Sequence, residues 1–289
     1  MLYALGAVLL WSTVATAFKL TLRILSSTEL VWWASVVSFL LLGLMVILTG
    51  RMQEALRLWR VRWRTILFLG AINPFVYYLT LFRAYELLPA QEAQAINYTW
   101  ALVLAFLSVP ILGHRLSRYD LLAGAFGYFG VLIIATRGDL LSLHFGDPLG
   151  VALALTSTVL WALYWIINTR MEGESMVVLM GAFGVGIVLM GFYLLYRGIP
   201  LSVPSLPGAL GALYVGMVEM SVTFVLWGNA LKLTSHLASV SNLIFLSPIL
   251  SLVLIHVIAG ERIYPSTMVA LGFILIGLLI QQRGGRIAG

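Results

Sequence analysis

Cysteine is absent from the 289 residues, so disulfides are excluded and the redox compartment leaves no mark on the composition. Charge is scarce. Asp, Glu, Lys and Arg together make up 10% of the chain, too few polar groups to coat a water-soluble globule of this size. Catalytic patterns are missing as well. The histidines His114, His144, His236 and His256 show no metal-ligand spacing, no Walker loop serves ATP hydrolysis, and no serine sits in a GxSxG elbow. A membrane enzyme acting on lipids would need a carboxylate, histidine or serine constellation at the interface, and the histidines are scattered. Neither an enzyme nor a cofactor nor a resident metal is therefore expected.

Hydrophobic residues, by contrast, fill 61% of positions, with a mean hydropathy of +1.02. A helix needs about 20 mostly apolar residues to cross a bilayer, and only helices or closed barrels satisfy their backbone in lipid. The apolar runs are too long for barrel strands and lack strict alternation. The chain reads as an all-α membrane protein with membrane lipids as its surroundings. Ten spans fit, at roughly 3–22, 28–49, 65–88, 91–111, 119–136, 148–169, 175–196, 207–231, 236–258 and 266–282. Met1 leads straight into the first apolar segment, which Lys19 and Arg23 follow without a cleavage pattern, so no cleaved leader is expected.

The net charge of +6 has a topological origin rather than a nucleic-acid partner. Arg51, Arg57, Arg60, Arg62 and Arg64 crowd one connection, and positive loops stay cytoplasmic. Both termini are then expected inside, together with Arg115, Arg118, Arg170, Lys232, Arg283 and Arg286. Glu29, Glu92, Asp139, Asp147 and Glu261 fall outside. Residues 52–63 read either as an amphipathic surface helix, with Leu56, Trp59 and Trp63 in the headgroups, or as a plain loop.

The chain also repeats itself. At a spacing of 145 residues, Ala93, Asn97 and Trp100 meet Ala238, Asn242 and Phe245. Trp11 answers Trp161, and GHRLSRYDLLAGAFGYFGVLI answers GERIYPSTMVALGFILIGLLI. The halves are residues 1–145 and 146–289, each with five spans. An odd number forces the second half to be inverted, an arrangement common among transporters whose substrates bind near the midplane. Gly124, Gly127 and Gly130 would let span 5 pack closely.

Polar and aromatic faces locate candidate site residues. In span 3, Tyr78, Phe82 and Tyr85 share a face at i, i+4, i+7. In span 6, Ser157, Trp161, Tyr164, Trp165 and Asn168 cluster. Span 4 carries Gln91, Gln94, Asn97 and Trp100 in one stripe, with Tyr98 beside it. Amides deep in a span are costly unless partnered or wet, so Trp100 and Trp161 beside them read as cavity residues. The exposed-end tryptophans Trp32, Trp33, Trp59 and Trp63 read as interfacial anchors. Span 1 aligns Ser12, Ala15, Thr16 and Lys19; Lys19 is either a site residue or a snorkelling cation. Glu219, deep in span 8, is either a proton or amine partner or a structural hydrogen bonder. Pro74, Pro110 and Pro248 permit bends, as ordinary kinks or in gating helices.

Four short motifs in order, Leu10-Trp11-Ser12-Thr13, Asn97-Tyr98-Thr99-Trp100, Trp161-Ala162-Leu163-Tyr164 and Trp227-Gly228-Asn229, resemble the drug/metabolite transporter superfamily with its paired EamA-type repeats. Within it they look like the aromatic amino acid exporters of the YddG type. The resemblance implies a bacterial inner-membrane exporter, a basket of ten helices around a central cavity, and Phe, Tyr, Trp and other neutral amino acids as small-molecule substrates. It also implies that Tyr78, Tyr98, Trp100 and Trp161 line the cavity. His114 departs from the superfamily, where many members carry the glutamate that Glu261 retains in the second half. The expected mechanism is alternating access, with Asn97, Asn242, Ser12 or Asn168 hydrogen-bonding the substrate's amino and carboxylate groups. Drugs or other metabolites are the alternative cargo.

Overall fold

The structure is a computed structural model describing residues 2–113, 117–141, 147–168, 171, 173–233 and 246–287. Every regular element among these residues is helical. The first half holds α1 (Leu2–Thr21), α2 (Ser27–Leu48), α3 (Met52–Gly70), α4 (Tyr77–Leu87), α5 (Ala90–Asn97), α6 (Trp100–Leu112) and α7 (Arg118–Ala135). The second holds α8 (Pro148–Asn168), α9 (Ser175–Tyr196), α10 (Leu206–Tyr214), α11 (Thr223–Leu233), α12 (Leu246–Val257) and α13 (Pro265–Ile287).

Among the described residues, nine helical stretches are long and apolar enough to cross a membrane, and their ends match the expected spans 1–8 and 10 within a few residues outside span 3. Span 9 is represented by α12, a shorter apolar helix; the preceding residues 234–245, with Ala238, Asn242 and Phe245, lie outside the described residues, as does His114. Large apolar side chains cover the outside of the bundle: Leu40, Leu44 and Leu48 of α2 and Val188, Phe192 and Leu195 of α9 are all at least half exposed. Such a surface suits lipid rather than water.

Local chemistry sets the helix ends. The Ser26 hydroxyl accepts from Glu29 N while the Glu29 carboxylate accepts from Ser26 N, and Ser117 and Asp120 repeat the arrangement at α7. Each box satisfies two backbone donors that a helix start leaves open. At the far end of α6, Gly113 adopts φ 74°, a left-handed cap that glycine reaches without steric penalty.

Residues 52–63, left open between surface helix and loop, are helical. They form the start of α3, which bends at Arg62 (φ −115°, ψ 24°) before entering the bundle. Leu56 and Trp63 are exposed. Trp59 is not a free headgroup anchor: it lies against α9 so closely that a methyl placed on Gly181 would meet its indole nitrogen at 2.6 Å.

Spans 3 and 8 are both irregular midway. Between α3 and α4, Ala71–Val76 contains extended Asn73 (φ −133°, ψ 116°) and a cis Asn73–Pro74 bond. Between α10 and α11, Val215–Val222 widens into π-helical turns. Pro110 and Pro248 lie inside α6 and α12.

The contacts between halves come in exchanged pairs. Span 2 packs on its counterpart span 7 (α2 on α9), and span 5 on span 10 (α7 on α13). Span 3 packs on span 6 (α4 on α8), and in return span 1 packs on span 8 (α1 on α10 and α11). Glycines repeat the exchange at atomic scale. A methyl on Gly70 would stand 2.5 Å from the Ala182 carbonyl oxygen and 2.6 Å from Val185 Cβ; one on Gly216 would stand 2.5 Å from Ala34 O and 2.7 Å from Val37 Cβ. Likewise Gly130 faces Ala270 O and Gly277 faces Ala123 O, each at 2.7 Å. Backbones therefore touch where side chains would hold the spans apart.

Candidate functional site

Where the halves meet, a cavity of about 150 Å³ opens in the bundle interior. Nine of its 15 lining residues are aromatic: Trp11 and Phe18 of α1, Tyr77 and Tyr85 of α4, Tyr98 and Trp100 of span 4, Trp161 and Trp165 of α8, and Trp227 of α11. Only Gln94, Asn97 and Glu219 bring polar side chains beyond the aromatics; Val14, Ala15 and Leu81 complete the wall.

The rings hold one another in place. Tyr77 stacks on Trp161 at 4.6 Å and 22°, and Trp161 stacks on Tyr164 at 5.6 Å and 17°. Phe224 touches Trp11, Trp161 and Trp165 from behind, and Trp11 meets Trp227 at 5.4 Å. Such pairs add about 0.5–1.5 kcal/mol each beyond the area they bury. The wall is thus preorganised for flat, apolar groups.

Polar geometry divides the expected residues. Asn97 Nδ2 donates to Ser157 Oγ at 3.0 Å, joining span 4 to span 6 at the cavity edge. Asn97 closes α5, and the backbone passes through Tyr98 and Thr99 before α6 begins at Trp100. That interruption brings Asn97, Tyr98 and Trp100 together in the cavity wall, a use of broken helices known from transporters. Gln94 joins them, one turn earlier.

Other expected residues sit elsewhere. Tyr78 and Phe82 are fully buried behind the wall; Tyr78 reaches the site through its hydroxyl, which donates to Glu219 Oε1 at 3.2 Å. The cavity face of α4 is Tyr77, Leu81 and Tyr85, one helical step round from the aromatic stripe the sequence suggests. Tyr164 backs Trp161. The Ser12 hydroxyl is turned to its own helix, donating to Leu9 O at 2.6 Å. Asn168 ends α8 away from the lining residues. Asn242 lies outside the described residues. Trp165, which the sequence places on the span 6 face, is in the lining; Trp11, Glu219 and Trp227 join it although the sequence marks them only as a repeat echo, a motif member or, for Glu219, a residue of open role.

Lys19 belongs to a separate cluster at one end of the bundle. Its ammonium donates to the Tyr85 and Leu88 carbonyls at 2.9 and 2.8 Å and lies 3.9 Å from Glu261 Oε1. Glu261 Oε1 also accepts from Ala90 N at 3.0 Å. Gln91 donates to Arg262 O and accepts from Tyr264 N, so it departs from the stripe it shares with Asn97 in sequence. Arg137 pairs with Glu92 at 3.4 Å, and Arg23 donates to Ala259 O at 2.8 Å. The loops of the two halves are stitched together here. Among the described residues no group of His, Asp and Glu could hold a metal ion.

Stacked apolar helices in two exchanged halves around an aromatic cavity define a polytopic membrane transporter. The model of the EamA-like transporter family matches residues 1–136 and 148–281, and the chain belongs to that family. It is 25% identical over 218 residues to an uncharacterized transporter of Acidianus ambivalens, covering 73% of this chain and 81% of that one. An uncharacterized transporter of Clostridium kluyveri is 27% identical over 181 residues, covering 61% of this chain and 58% of its own length. Protein PecM of Dickeya dadantii is 24% identical over 256 residues, covering 86% and 82%. A solved crystal structure shares the fold at a TM-score of 0.70 and 22% identity, over 99% of this chain and 97% of that one.

Proposed function

We propose that this protein is a secondary transporter exporting aromatic and other neutral amino acids across a bacterial inner membrane by alternating access. Residues 1–145 and 146–289 form its two inverted halves, and both termini face the cytoplasm. The aromatic wall around Asn97 carries the reading: nine rings and two amides suit a flat apolar side chain attached to a small polar group. The ligand would stack against Trp161 and Trp100. Its backbone groups would meet Asn97 and Gln94, with Asn242 a further partner. Each stacking contact contributes about 0.5–1.5 kcal/mol, so affinity is weak and selectivity broad, as suits export.

The cavity is smaller than the roughly 300–1,000 Å³ of ordinary ligand sites. Substrate is therefore accommodated in a wider conformation. Arginine-rich connections on the face opposite the Lys19 cluster support the orientation, since positive loops stay cytoplasmic.

A second reading keeps the fold and changes the cargo to drugs or other small metabolites. The acidic Glu219 among aromatic faces favours it, because lipophilic cations match both. Proteoliposomes loaded with labelled phenylalanine or tryptophan decide between them: amino-acid release faster than from equally loaded protein-free liposomes supports the first reading. Equal release, with flux of a lipophilic cation, establishes the second.

A further inference from the structure

Glu219 is the carboxyl group in the cavity wall, placed there by the wide turns of span 8. It is 7% exposed. Tyr78 donates to Oε1, whereas Oε2 is buried without a hydrogen bond. A carboxylate offers about four lone-pair positions; Tyr78 and the neighbouring Trp11 indole address part of that capacity, and Oε2 keeps room for a further donor. A buried, incompletely paired carboxyl is costly to maintain, and a donor brought by a ligand would relieve that cost.

The charge around it points to the kind of donor. No Lys or Arg lines the cavity among the described residues. Residues 234–245 contain neither. Lys19 is committed elsewhere, to the Tyr85 and Leu88 carbonyls and Glu261. A ligand carboxylate would find only neutral donors among the described lining residues, the amides of Gln94 and Asn97 and the hydroxyl and indole N–H groups of the aromatics, and Asn97 already gives one N–H to Ser157. A ligand ammonium would find Glu219 together with the faces of Trp11, Trp161 and Trp227, whose π-clouds attract cations.

We infer that Glu219 is the ammonium-recognition residue of this site, and that its ligands are aromatic amines whose carboxylate is tolerated rather than required. The inference rests on the proposal that this cavity is the transport site. It makes amine and carboxylate separable requirements.

Competition in proteoliposomes containing the full-length protein and labelled phenylalanine tests it. Phenethylamine, which lacks the carboxylate, should inhibit release at least as well as unlabelled phenylalanine. 3-Phenylpropionate, which lacks the amine, should be at least about tenfold weaker, as when a polar partner is left unpaired. Glu219→Gln should collapse that ratio towards one, and Glu219→Asp should retain part of it. Equal competition by the two analogues overturns the inference, as does an unchanged ratio in folded Glu219→Gln. If the variant fails to fold, the wild-type ratio alone decides. Should labelled phenylalanine not move, labelled phenethylamine is tried directly: its transport upholds this inference while removing the amino-acid reading, and its failure removes both.

Discussion

Lys19 Nζ stands 3.9 Å from Glu261 Oε1, and the pair joins the end of span 1 to the loop that leads into α13. The same ammonium binds two carbonyls at the end of span 3. One side chain thus holds three connections together at one end of the bundle. If that end closes the cavity, Lys19→Met or Glu261→Gln should loosen it. The natural chain has no cysteine, so a single Ala15→Cys in the cavity wall reports access cleanly. Its labelling by an impermeant maleimide, applied from the face Lys19 approaches, should quicken about fivefold if the cluster contributes about 1 kcal/mol. Unchanged labelling would show that the cluster does not govern access.

The exchanged glycine contacts make a second expectation. Gly70→Ala and Gly216→Ala each press a methyl into a backbone carbonyl and a valine, where overpacking costs about 1–3 kcal/mol. Both should lower the melting temperature in detergent, and by similar amounts. Gly272→Ala meets nothing within 4 Å and should leave it unchanged. A large difference between Gly70→Ala and Gly216→Ala would refute their equivalence.

Trp161 stacks on both Tyr77 and Tyr164 and closes one side of the cavity. Trp161→Ala should reduce flux at normal expression, and Trp100→Ala likewise. Trp63, 55% exposed on the outer surface of α3, should tolerate alanine with flux intact. Flux assays on equal amounts of reconstituted protein make the comparison.

A double-mutant cycle over Asn97 and Ser157 measures the bond that links the halves at the cavity edge. Interhelical hydrogen bonds in membranes average about 0.6 kcal/mol. A coupling of that order is expected on unfolding; a value indistinguishable from zero would mean that water or another donor replaces the bond freely.

Spans were legible because lipid demands long apolar runs, and the repeat was legible because Trp11, Asn97 and the glycine-rich segments recur in order. Helix phase was harder to read. In span 3 both Tyr77-Leu81-Tyr85 and Tyr78-Phe82-Tyr85 are aromatic stripes, one step apart, and only packing against α8 selects the first. Gln91 and Gln94 share a stripe, yet Gln91 is level with the 262–264 loop and bonds there. Hydropathy placed residues 52–63 outside the bilayer but was silent on their continuing span 3 as one bent helix. Glu219 showed its depth in the sequence but not its neighbours, since Trp11 and Tyr78 reach it only through the tertiary fold.

The reciprocal glycines also set an energy balance. Contacts that survive exchange of the two halves cost each half about the same to keep or to break. The Lys19 and Glu261 pair has no such counterpart: residues 166–169 read IINT, and His114 stands opposite Glu261 in the repeat. Near-equivalent packing between the repeats is thus tied at its two ends by different charged contacts, Lys19 with Glu261 and Arg137 with Glu92 at one and Arg51 with Glu174 at the other, so the symmetry of the helices does not extend to the charges that clasp them.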